Sequence, residues 1–324
     1  MKKASIIIPT KNAGSIFKEV IEKLIVQKNV ENYEIIIIDS GSKDNTIDTV
    51  KNFQKTNNNI ILKEIPSSEF GHGKTRNYGA SISEGEFLIF ITQDALPYDE
   101  NWLYEMIKPF ELDENIVGVF GKHLPYEDCD IFEKYNLTIH FQNFGKGIIV
   151  YKIDDVERYK KDEGYRHLLC FYSDNSSAMR KSIWKKIPYD DVDFAEDQLW
   201  AKKIIELGYS KAYTSNAVVY HSHNYSFKEM MMRSFDDHKG LNQIYDYVPV
   251  KNILYLPLHI LNHIKNDYKY LKTLNIPRDE KKSWLVFSLK KNLCKYIGAY
   301  FGPKGNKSEF ICSIFSRERI LRKK

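Results

Sequence analysis

The stretch ASIIIPT, residues 4 to 10, is a short apolar run that ends in polar residues. The helix-like segment SIFKEVIEKLIVQ follows at residues 15 to 27, and a second apolar run, YEIIIIDSGSKDNT, follows at residues 33 to 46. Apolar runs of this length, bounded by turn residues, predict strands that are buried on both faces. The order strand, helix, strand predicts a β-α-β unit with parallel strands.

The same rhythm continues along the chain. DTVKNFQKT (48–56) and GKTRNYGASIS (73–83) predict helices, whereas IILKEIP (60–66) and EFLIFITQD (86–94) predict strands. We therefore predict an α/β fold with a mostly parallel central sheet and helices on both faces. Ligands of such sheets bind beyond the carboxyl ends of the strands. The polar residues expected on that rim are Thr10, Lys11, Asn12, Asp39, Ser40, Ser42 and Asp94.

Length and composition indicate a globular protein. The 324 residues, 43% hydrophobic and 14% aromatic, suffice for one large domain with or without a smaller appendage. The basic opening MKKASIIIPTKN resembles the start of a signal peptide, but its apolar run ends at Pro9 and Lys11. No run reaches the roughly 18 apolar residues that a membrane span needs. The cysteines form no CxxC pair, so we expect a reducing cytoplasm and neither a zinc site nor a disulfide framework; they are Cys129, Cys170, Cys294 and Cys312.

Charge divides the chain into two parts. Residues 1 to 224 carry 28 Lys and Arg against 34 Asp and Glu, whereas residues 225 to 324 carry 20 against 9. We predict one domain over residues 1 to 224 and a helical, basic region over residues 225 to 324. Such a region binds an anionic partner, for which nucleic acid and an anionic membrane are the candidates, or it is a structural helical cap.

A dinucleotide site is the first nucleotide site to consider. Asp39 ends the second predicted strand, where a ribose-binding acid would lie. After the first strand, however, residues 9 to 14 read PTKNAG, with one glycine in place of the GxGxxG turn. The Walker pattern is absent from the sequence as well, so both kinds of phosphate-binding loop are excluded.

Five motifs in sequence order carry a more specific signal. They are SIIIPTKN (5–12), DSGSKDNT (39–46), GKTRNYGA (73–80), TQDALP (92–97) and FAEDQLW (194–200). Together they resemble the nucleotide-sugar-dependent glycosyltransferases of family 2, which have the GT-A fold, over about residues 4 to 223. The strings FGHGKTRN (70–77), ITQDALP (91–97) and VVYHSHNYS (218–226) are most similar to the rhamnosyltransferase branch.

The resemblance implies a nucleotide-sugar donor site with Mg²⁺ or Mn²⁺. The family's DxD motif corresponds to Thr92-Gln93-Asp94, in which threonine replaces the first acid. Asp94 and His221 are the implied metal ligands. His223 is an alternative, because an i, i+2 pair in a strand points to one side, and an ordinary surface histidine is the other interpretation. The residues implied to bind the nucleotide sugar are Pro9, Thr10, Asn12, Asp39, Ser40, Arg76, Asn77, Gln93, Asp94, Asp174 and Asn175.

Within this set the resemblance implies separate roles. Asp39 would accept a hydrogen bond from a pyrimidine imide, and Arg76 would contact the base or offset phosphate charge. Asp174 and Asn175, in FYSDNSSAMRKSIW (171–184), would lie beneath the donor sugar. A helix N-cap is the other interpretation of that polar segment.

The acidic pair Glu196 and Asp197 begins a predicted helix, because Trp200, Ile204 and Leu207 recur at helical spacing. Acids in a first turn are stabilised by the helix dipole, so a simple helix start is one interpretation. The resemblance implies that Asp197 is the catalytic base and that Glu196 orients the acceptor or Asp197.

The implied activity is inverting transfer of a sugar, with L-rhamnose from dTDP-rhamnose as the preferred donor, onto a lipid-linked or cell-surface polysaccharide. A UDP-sugar donor is the alternative. A glycan or polyprenyl-linked acceptor places the chain in the cytoplasm, in peripheral contact with the anionic inner face of the membrane, and leaves no role for nucleic acid. A nucleotidyltransferase would need a glycine-rich basic loop that PTKNAG lacks. The missing first acid of DxD also motivates a non-enzymatic alternative, a degenerate scaffold.

Overall fold

The computed structural model of the chain describes residues 2–322. These residues form two compact units. The first comprises the chain up to Val192 together with Glu196–Ser222, and the second comprises Asp193–Ala195 and the chain from His223 onward. The longer segment of the second unit thus begins two residues before the predicted basic region of residues 225 to 324.

One mixed sheet organises the first unit. Its strands are β1 (Ala4–Thr10), β2 (Tyr33–Asp39), β3 (Ile60–Glu64), β4 (Phe87–Ile91), β5 (Leu96–Pro97), β6 (Ile116–Leu124), β7 (Ile148–Tyr151), β8 (Ser176–Arg180) and β9 (Ser210–Tyr220). The order is β3-β2-β1-β4-β8-β6-β9-β5, and β7 pairs with β9. The first four strands are parallel, as predicted, and β8 runs antiparallel between β4 and β6. The start of β8 therefore lies at the edge where β4 and β6 end.

Helices cover both faces of the parallel half of the sheet, as predicted. On one face α1 (Ile16–Ile25) buries Phe17, Val20, Ile21 and Leu24 at helical spacing against the same core as Ile6 and Ile8, together with α2 (Thr46–Gln54). On the other face α3 (His72–Ile82) approaches β1 so closely that a Cβ added at Gly79 would lie 2.5 Å from Cγ2 of Ile7. Alternation along β1 directs Ile7 away from Ile6 and Ile8.

The rest of the first unit adds shorter helices around the second half of the sheet. These are α4 (Trp102–Ile107), α5 (Ile131–Gln142), α6 (Val156–Lys161), α7 (Glu163–Cys170), α8 (Lys181–Trp184) and α9 (Glu196–Glu206). The acidic pair begins α9, as predicted, and Trp200, Ala201, Ile204 and Ile205 are among the buried residues of that helix. Leu207, which the sequence spacing placed on the same side, lies beyond the end of the helix and is 63% exposed.

The second unit is helical, as predicted, and consists of α10 (Phe227–Tyr245), α11 (Leu256–Thr273), α12 (Arg278–Gly305), α13 (Glu309–Phe315) and α14 (Arg317–Arg322). A capping box of Ser226 and Glu229 begins α10. A Cβ added at Gly298 of α12 would lie 2.2 Å from the carbonyl oxygen of Met231, so α10 and α12 pack with their backbones close together. Over the described part of the chain, every helix falls short of the length or apolarity that crossing a membrane requires.

Candidate active site

Polar side chains meet at the edge of the sheet where β1, β2 and β4 end. Thr10 and Asp39 are the last residues of β1 and β2, and Asp94 lies three residues beyond β4. The pair Asp174–Asn175 directly precedes β8, and His221 directly follows β9. Because β8 runs antiparallel to β4, its amino end lies at this edge. The strand pattern in the sequence predicted rim residues only at the carboxyl ends of parallel strands.

Asp39 is completely buried, and its carboxylate shapes the loop after β2. Its Oδ1 accepts the backbone N–H groups of Gly41 at 3.0 Å and Ser42 at 2.8 Å. Its Oδ2 accepts the hydroxyls of Thr10 at 3.0 Å and Ser42 at 2.5 Å. A carboxylate has about four lone-pair positions, and these four donors occupy them. A hydrogen bond from a nucleotide base to Asp39 therefore requires one of these donors to move aside.

Asn12 and Ser40 connect the loops after β1 and β2. Asn12 has a positive φ of 47°, its Oδ1 accepts the N–H of Lys43 at 2.7 Å, and its own N–H donates to Oγ of Ser42 at 2.7 Å. The N–H and the hydroxyl of Ser40 both donate to the carbonyl of Thr10, at 2.9 and 3.0 Å. Side chains at this rim thus set the backbone that would face a ligand.

Gln93 connects the loop after β4 to the loop after β1. Its Oε1 accepts the N–H of Lys11 at 2.8 Å, and its Nε2 donates to the carbonyl of Lys11 at 3.3 Å. The hydroxyl oxygen of Thr92 is buried and has no hydrogen-bond partner among the described residues. Within the motif Thr92-Gln93-Asp94, Asp94 is the only residue with a charged side chain.

The Asp94 carboxylate lies beside His221. Oδ1 of Asp94 is 3.6 Å from Nε2 of His221, and Nδ1 of the same ring is 3.3 Å from Nδ2 of Asn175. The hydroxyl of Tyr126 donates to the backbone carbonyl of Asp94 at 3.0 Å. His221 therefore lies with one nitrogen toward Asp94 and the other toward Asn175.

This pair of side chains fits a divalent cation. A carboxylate oxygen and an imidazole nitrogen are both ligands for Mn²⁺-like ions. Two atoms that each bind one cation at about 2.1 Å can lie at most about 4.2 Å apart, and the observed 3.6 Å lies within that limit. Nε2 binds a metal only when Nδ1 carries the ring proton. Asn175 can accept that proton with its amide oxygen, which exchanges places with the nitrogen by a half-turn of the side chain.

The strand alternation that the sequence suggested for His221 and His223 does not apply. β9 ends at Tyr220, and the N–H of His221 makes a last bond to the carbonyl of Leu124 at 2.8 Å. Beyond that bond the chain leaves the sheet. The first unit ends at Ser222, and His223 belongs to the second unit.

Arg76 is a buried cation that contacts two buried acids. Its Nη1 donates to Oε1 of Glu196 at 2.6 Å, and its Nε lies 3.1 Å from Oδ2 of Asp174. Asp197 joins the cluster because its Oδ2 accepts the backbone N–H of Asp174 at 3.2 Å. One guanidinium therefore contacts two of the three carboxylates in the cluster, and the third, Asp197, is held through the backbone of Asp174. The structure places Arg76 among these acids, whereas the sequence assigned it to the base or phosphates of the donor.

Burial raises the pKa of Asp197 well above its usual range, and the negative charges of Glu196 and Asp174 raise it further, against the opposing effect of Arg76. Burial also raises the pKa of Asp174, again against Arg76. A carboxylate with a raised pKa is a better acceptor for the proton of a hydroxyl group. As a whole residue, Asp197 is partly exposed.

Asn77 and Pro9 have structural contacts. Oδ1 of Asn77 accepts the Nε1–H of Trp184 at 2.8 Å and the N–H of Tyr189 at 3.1 Å, and its Nδ2 donates to the carbonyl of Tyr189 at 2.8 Å. Pro9 lies in β1 opposite Ile38. Asn77 therefore fixes the segment around Tyr189, and its predicted contact with the donor would compete with these bonds.

Three side chains at the site were absent from the sequence prediction. The hydroxyls of Ser177 and Tyr189 donate to Oδ1 of Asp174 at 2.6 and 2.8 Å, and Tyr126 contacts Asp94. Tyr126 follows the end of β6 by two residues, so its place at a strand end was a usable signal. Tyr189 lies in an irregular segment with no periodic pattern.

Comparisons with known proteins identify the family of the chain. The family model described as glycosyl transferase family 2 matches residues 5–187. The O-antigen chain rhamnosyltransferase RfbN of Salmonella typhimurium is 34% identical over 72% of this chain and 71% of its own length. The O-antigen chain rhamnosyltransferase WbaN of Salmonella anatum is 35% identical over 73% of this chain and 71% of its own length.

A solved structure shows the same fold. The mannosyltransferase PcManGT from Pyrobaculum calidifontis, in complex with GDP-Man and Mn²⁺, superposes with a TM-score of 0.56 over 98% of this chain and 80% of its own, at 15% identity. The family match decides against the nucleotidyltransferase alternative, and the resemblance to the rhamnosyltransferase branch is confirmed. The chain is a glycosyltransferase that belongs to family 2 and has the GT-A fold.

Proposed function

We propose that this glycosyltransferase moves L-rhamnose from dTDP-rhamnose onto a lipid-linked or cell-surface polysaccharide, with inversion at the anomeric carbon. The observation that supports the sugar and the acceptor class is the 34% and 35% identity to two O-antigen chain rhamnosyltransferases over most of the chain. The alternative within the same family is a UDP-sugar donor.

Inversion requires a single in-line displacement, and Asp197 is the base that we assign to it. The acceptor hydroxyl attacks the anomeric carbon, its proton passes to the Asp197 carboxylate, and the nucleoside diphosphate leaves on the opposite face. The raised pKa of Asp197 supports this role, because it makes the carboxylate a better proton acceptor near neutral pH.

Arg76, Glu196 and Asp174 hold that base in place. Asp197 is bonded to the backbone of Asp174, and Arg76 pairs with Asp174 and Glu196. Arg76 thereby limits the repulsion between the three carboxylates. We assign Glu196 the task of orienting Asp197 through Arg76 or contacting the acceptor directly.

The donor diphosphate is assigned to the rim beside Asp94 and His221. A bound Mg²⁺ or Mn²⁺ would supply positive charge against the diphosphate as the glycosidic bond breaks. The Asp94 carboxylate and the His221 ring would hold it, and Asn175 would fix the ring proton on Nδ1. Pro9, Thr10, Asn12, Ser40 and Gln93 form or support the adjoining loop surface, to which we assign the nucleoside.

We assign the acceptor to a glycan or a polyprenyl-linked glycan. A polyprenyl anchor would place the reaction at the inner face of the cell membrane, with the enzyme bound there peripherally from the cytoplasm. The predicted basic region of residues 225 to 324 supports contact with anionic lipid, and nothing in the rim calls for a nucleic acid.

Donor identity is tested with a panel of nucleotide sugars in hydrolysis and transfer assays. We expect turnover with dTDP-rhamnose to exceed turnover with UDP-glucose, UDP-N-acetylglucosamine and GDP-mannose by at least tenfold. Preferential use of a UDP-sugar would replace the rhamnose assignment, and binding of every donor without turnover would favour the scaffold alternative.

The base is tested by Asp197→Asn. Loss of a general base costs about 10²–10⁴-fold in kcat, whereas binding of dTDP should stay within about twofold, because Asp197 makes no part of the rim around Asp39 and Asp94. Glu196→Gln should lose less. If Asp197→Asn keeps near-normal turnover and Glu196→Gln is inactive, Glu196 is the base and Asp197 is the orienting residue. If both variants are active, the acidic pair only begins the helix.

The acid limb of the pH profile tests the charge cluster. The base acts in its ionised form, so kcat/KM should rise with pH through the raised pKa of Asp197. Glu196→Gln removes a negative charge that raises this pKa, so the acid limb should move to lower pH. The matched substitution Glu206→Gln, at the other end of α9, should leave the limb unchanged. A limb that is the same in all three proteins would mean that Asp197 is not the titrating base.

Metal binding is tested by isothermal titration with Mn²⁺ in the presence of dTDP. Asp94→Ala should abolish activity and weaken Mn²⁺ binding, and His221→Ala should lower activity and raise the Mn²⁺ concentration required. Asp48→Ala, which removes an exposed acid from α2, is the control and should bind normally. His223→Ala tests the alternative histidine. Full activity of the Asp94 and His221 variants in EDTA would exclude a metal-dependent reaction.

A further inference from the structure

An exposed apolar surface lies at the start of α11. Leu254, Leu258 and Leu261 are 80%, 56% and 63% exposed, and the neighbouring Ile253 and Tyr255 are more than half exposed. The intervals of four and three residues place the three leucines on one side of the helix and of the short 3₁₀ turn, residues 253 to 255, that precedes it. Contiguous apolar surface of this kind commonly marks an interaction site.

The same line continues as a basic surface. Lys265, Tyr268 and Lys272 follow Leu261 at intervals of four, three and four residues, and all three are exposed. Nζ of Lys272 lies 4.6 Å from the ring centroid of Tyr268. We call Leu254, Leu258, Leu261, Lys265, Tyr268 and Lys272 the α11 stripe. It is apolar in its first half and positively charged, with one aromatic ring, in its second half.

The other side of α11 faces α12. Ile260 and Leu271 are buried, and Asp267, the acidic residue of α11, accepts hydrogen bonds from Ser288 at 2.6 Å and Asn292 at 3.0 Å. The negative charge of α11 is thus turned into the contact with α12. The stripe itself carries only positive charge.

We propose that the α11 stripe is the surface by which the protein docks on an anionic lipid membrane. The three leucines enter the boundary between headgroups and acyl chains, Tyr268 lies at the level of the headgroups, and Lys265 and Lys272 contact lipid phosphates. The inference deepens the proposed function and rests on it for its purpose, because a polyprenyl-linked acceptor places the reaction at a membrane.

A second copy of the chain fits the stripe poorly. In a parallel pair of α11 helices, Lys265 and Lys272 would face the same lysines of the other copy, and like charges would repel. In an antiparallel pair, the leucines would face the lysines and lose their apolar contact. A bilayer with anionic headgroups satisfies both halves of the stripe at once.

The test is cosedimentation of the full chain with vesicles, without donor or acceptor. The vesicles are phosphatidylcholine alone or an equal mixture of phosphatidylcholine and phosphatidylglycerol. Leu254→Ser/Leu258→Ser/Leu261→Ser should weaken binding to the mixed vesicles at least tenfold. Lys265→Gln/Lys272→Gln should weaken it roughly 25-fold, about fivefold per lysine, and should leave binding to phosphatidylcholine unchanged. Added salt should weaken the wild type more than the lysine variant.

Matched controls use side chains of similar exposure in the first unit. Leu112→Ser/Leu207→Ser and Lys160→Gln/Lys161→Gln should bind mixed vesicles like the wild type. Wild-type binding by both stripe variants, or equal losses in the controls, would overturn the proposal, as would a concentration-dependent dimer that the leucine variant abolishes.

Transfer to a water-soluble acceptor should stay unchanged in both stripe variants. If the wild type also fails to transfer a sugar to that acceptor, the proposed reaction is contradicted. Vesicle binding alone then tests the membrane surface.

Discussion

The contact between Arg76 and the acids Asp174 and Glu196 is the constraint on which the candidate active site depends. A buried carboxylate without a partner is expensive, and removing one member of a buried ion pair costs about 3–5 kcal/mol. Here a single guanidinium lies among three carboxylates. Burial raises the pKa of Asp197, and the negative charges of Glu196 and Asp174 raise it further. The cluster therefore stabilises the local fold and at the same time prepares one carboxylate to accept a proton.

The topology of the sheet explains how these groups come together. Arg76 lies on α3, which packs against β1, whereas Asp174 precedes β8 and Glu196 begins α9. Because β8 runs antiparallel between β4 and β6, its start reaches the edge where the parallel strands end. The consecutive residues Asp174 and Asn175 then serve two neighbouring clusters. Asp174 contacts Arg76, and Asn175 contacts His221.

The sequence predicted the parts of the site that follow from strand ends and family motifs. Asp94, Asn175 and His221 come together at one edge, and Glu196 and Asp197 begin a helix beside Asp174. Contacts that depend on folded geometry could not be predicted. A motif marks Arg76 and Asn77 as a pair, but it does not reveal that Arg76 faces two acids or that the Asn77 amide bonds Trp184 and Tyr189. Likewise, the position of Asp39 at a strand end was predictable, but the four hydrogen bonds that its carboxylate accepts from protein donors were not.

Gly298 and Gly302 have a consequence for how this protein can change. At both positions a Cβ would meet the backbone of α10, so at these two positions the pairing of α10 with α12 leaves no room for a side chain. The outward side of α11 is under no such restriction, because its large side chains are exposed. A substitution on that side therefore changes the surface and leaves the packing of the α10–α12 pair intact. Within one lineage, the helical unit could acquire a new surface preference by exchanging a few exposed side chains, with no redesign of its interior.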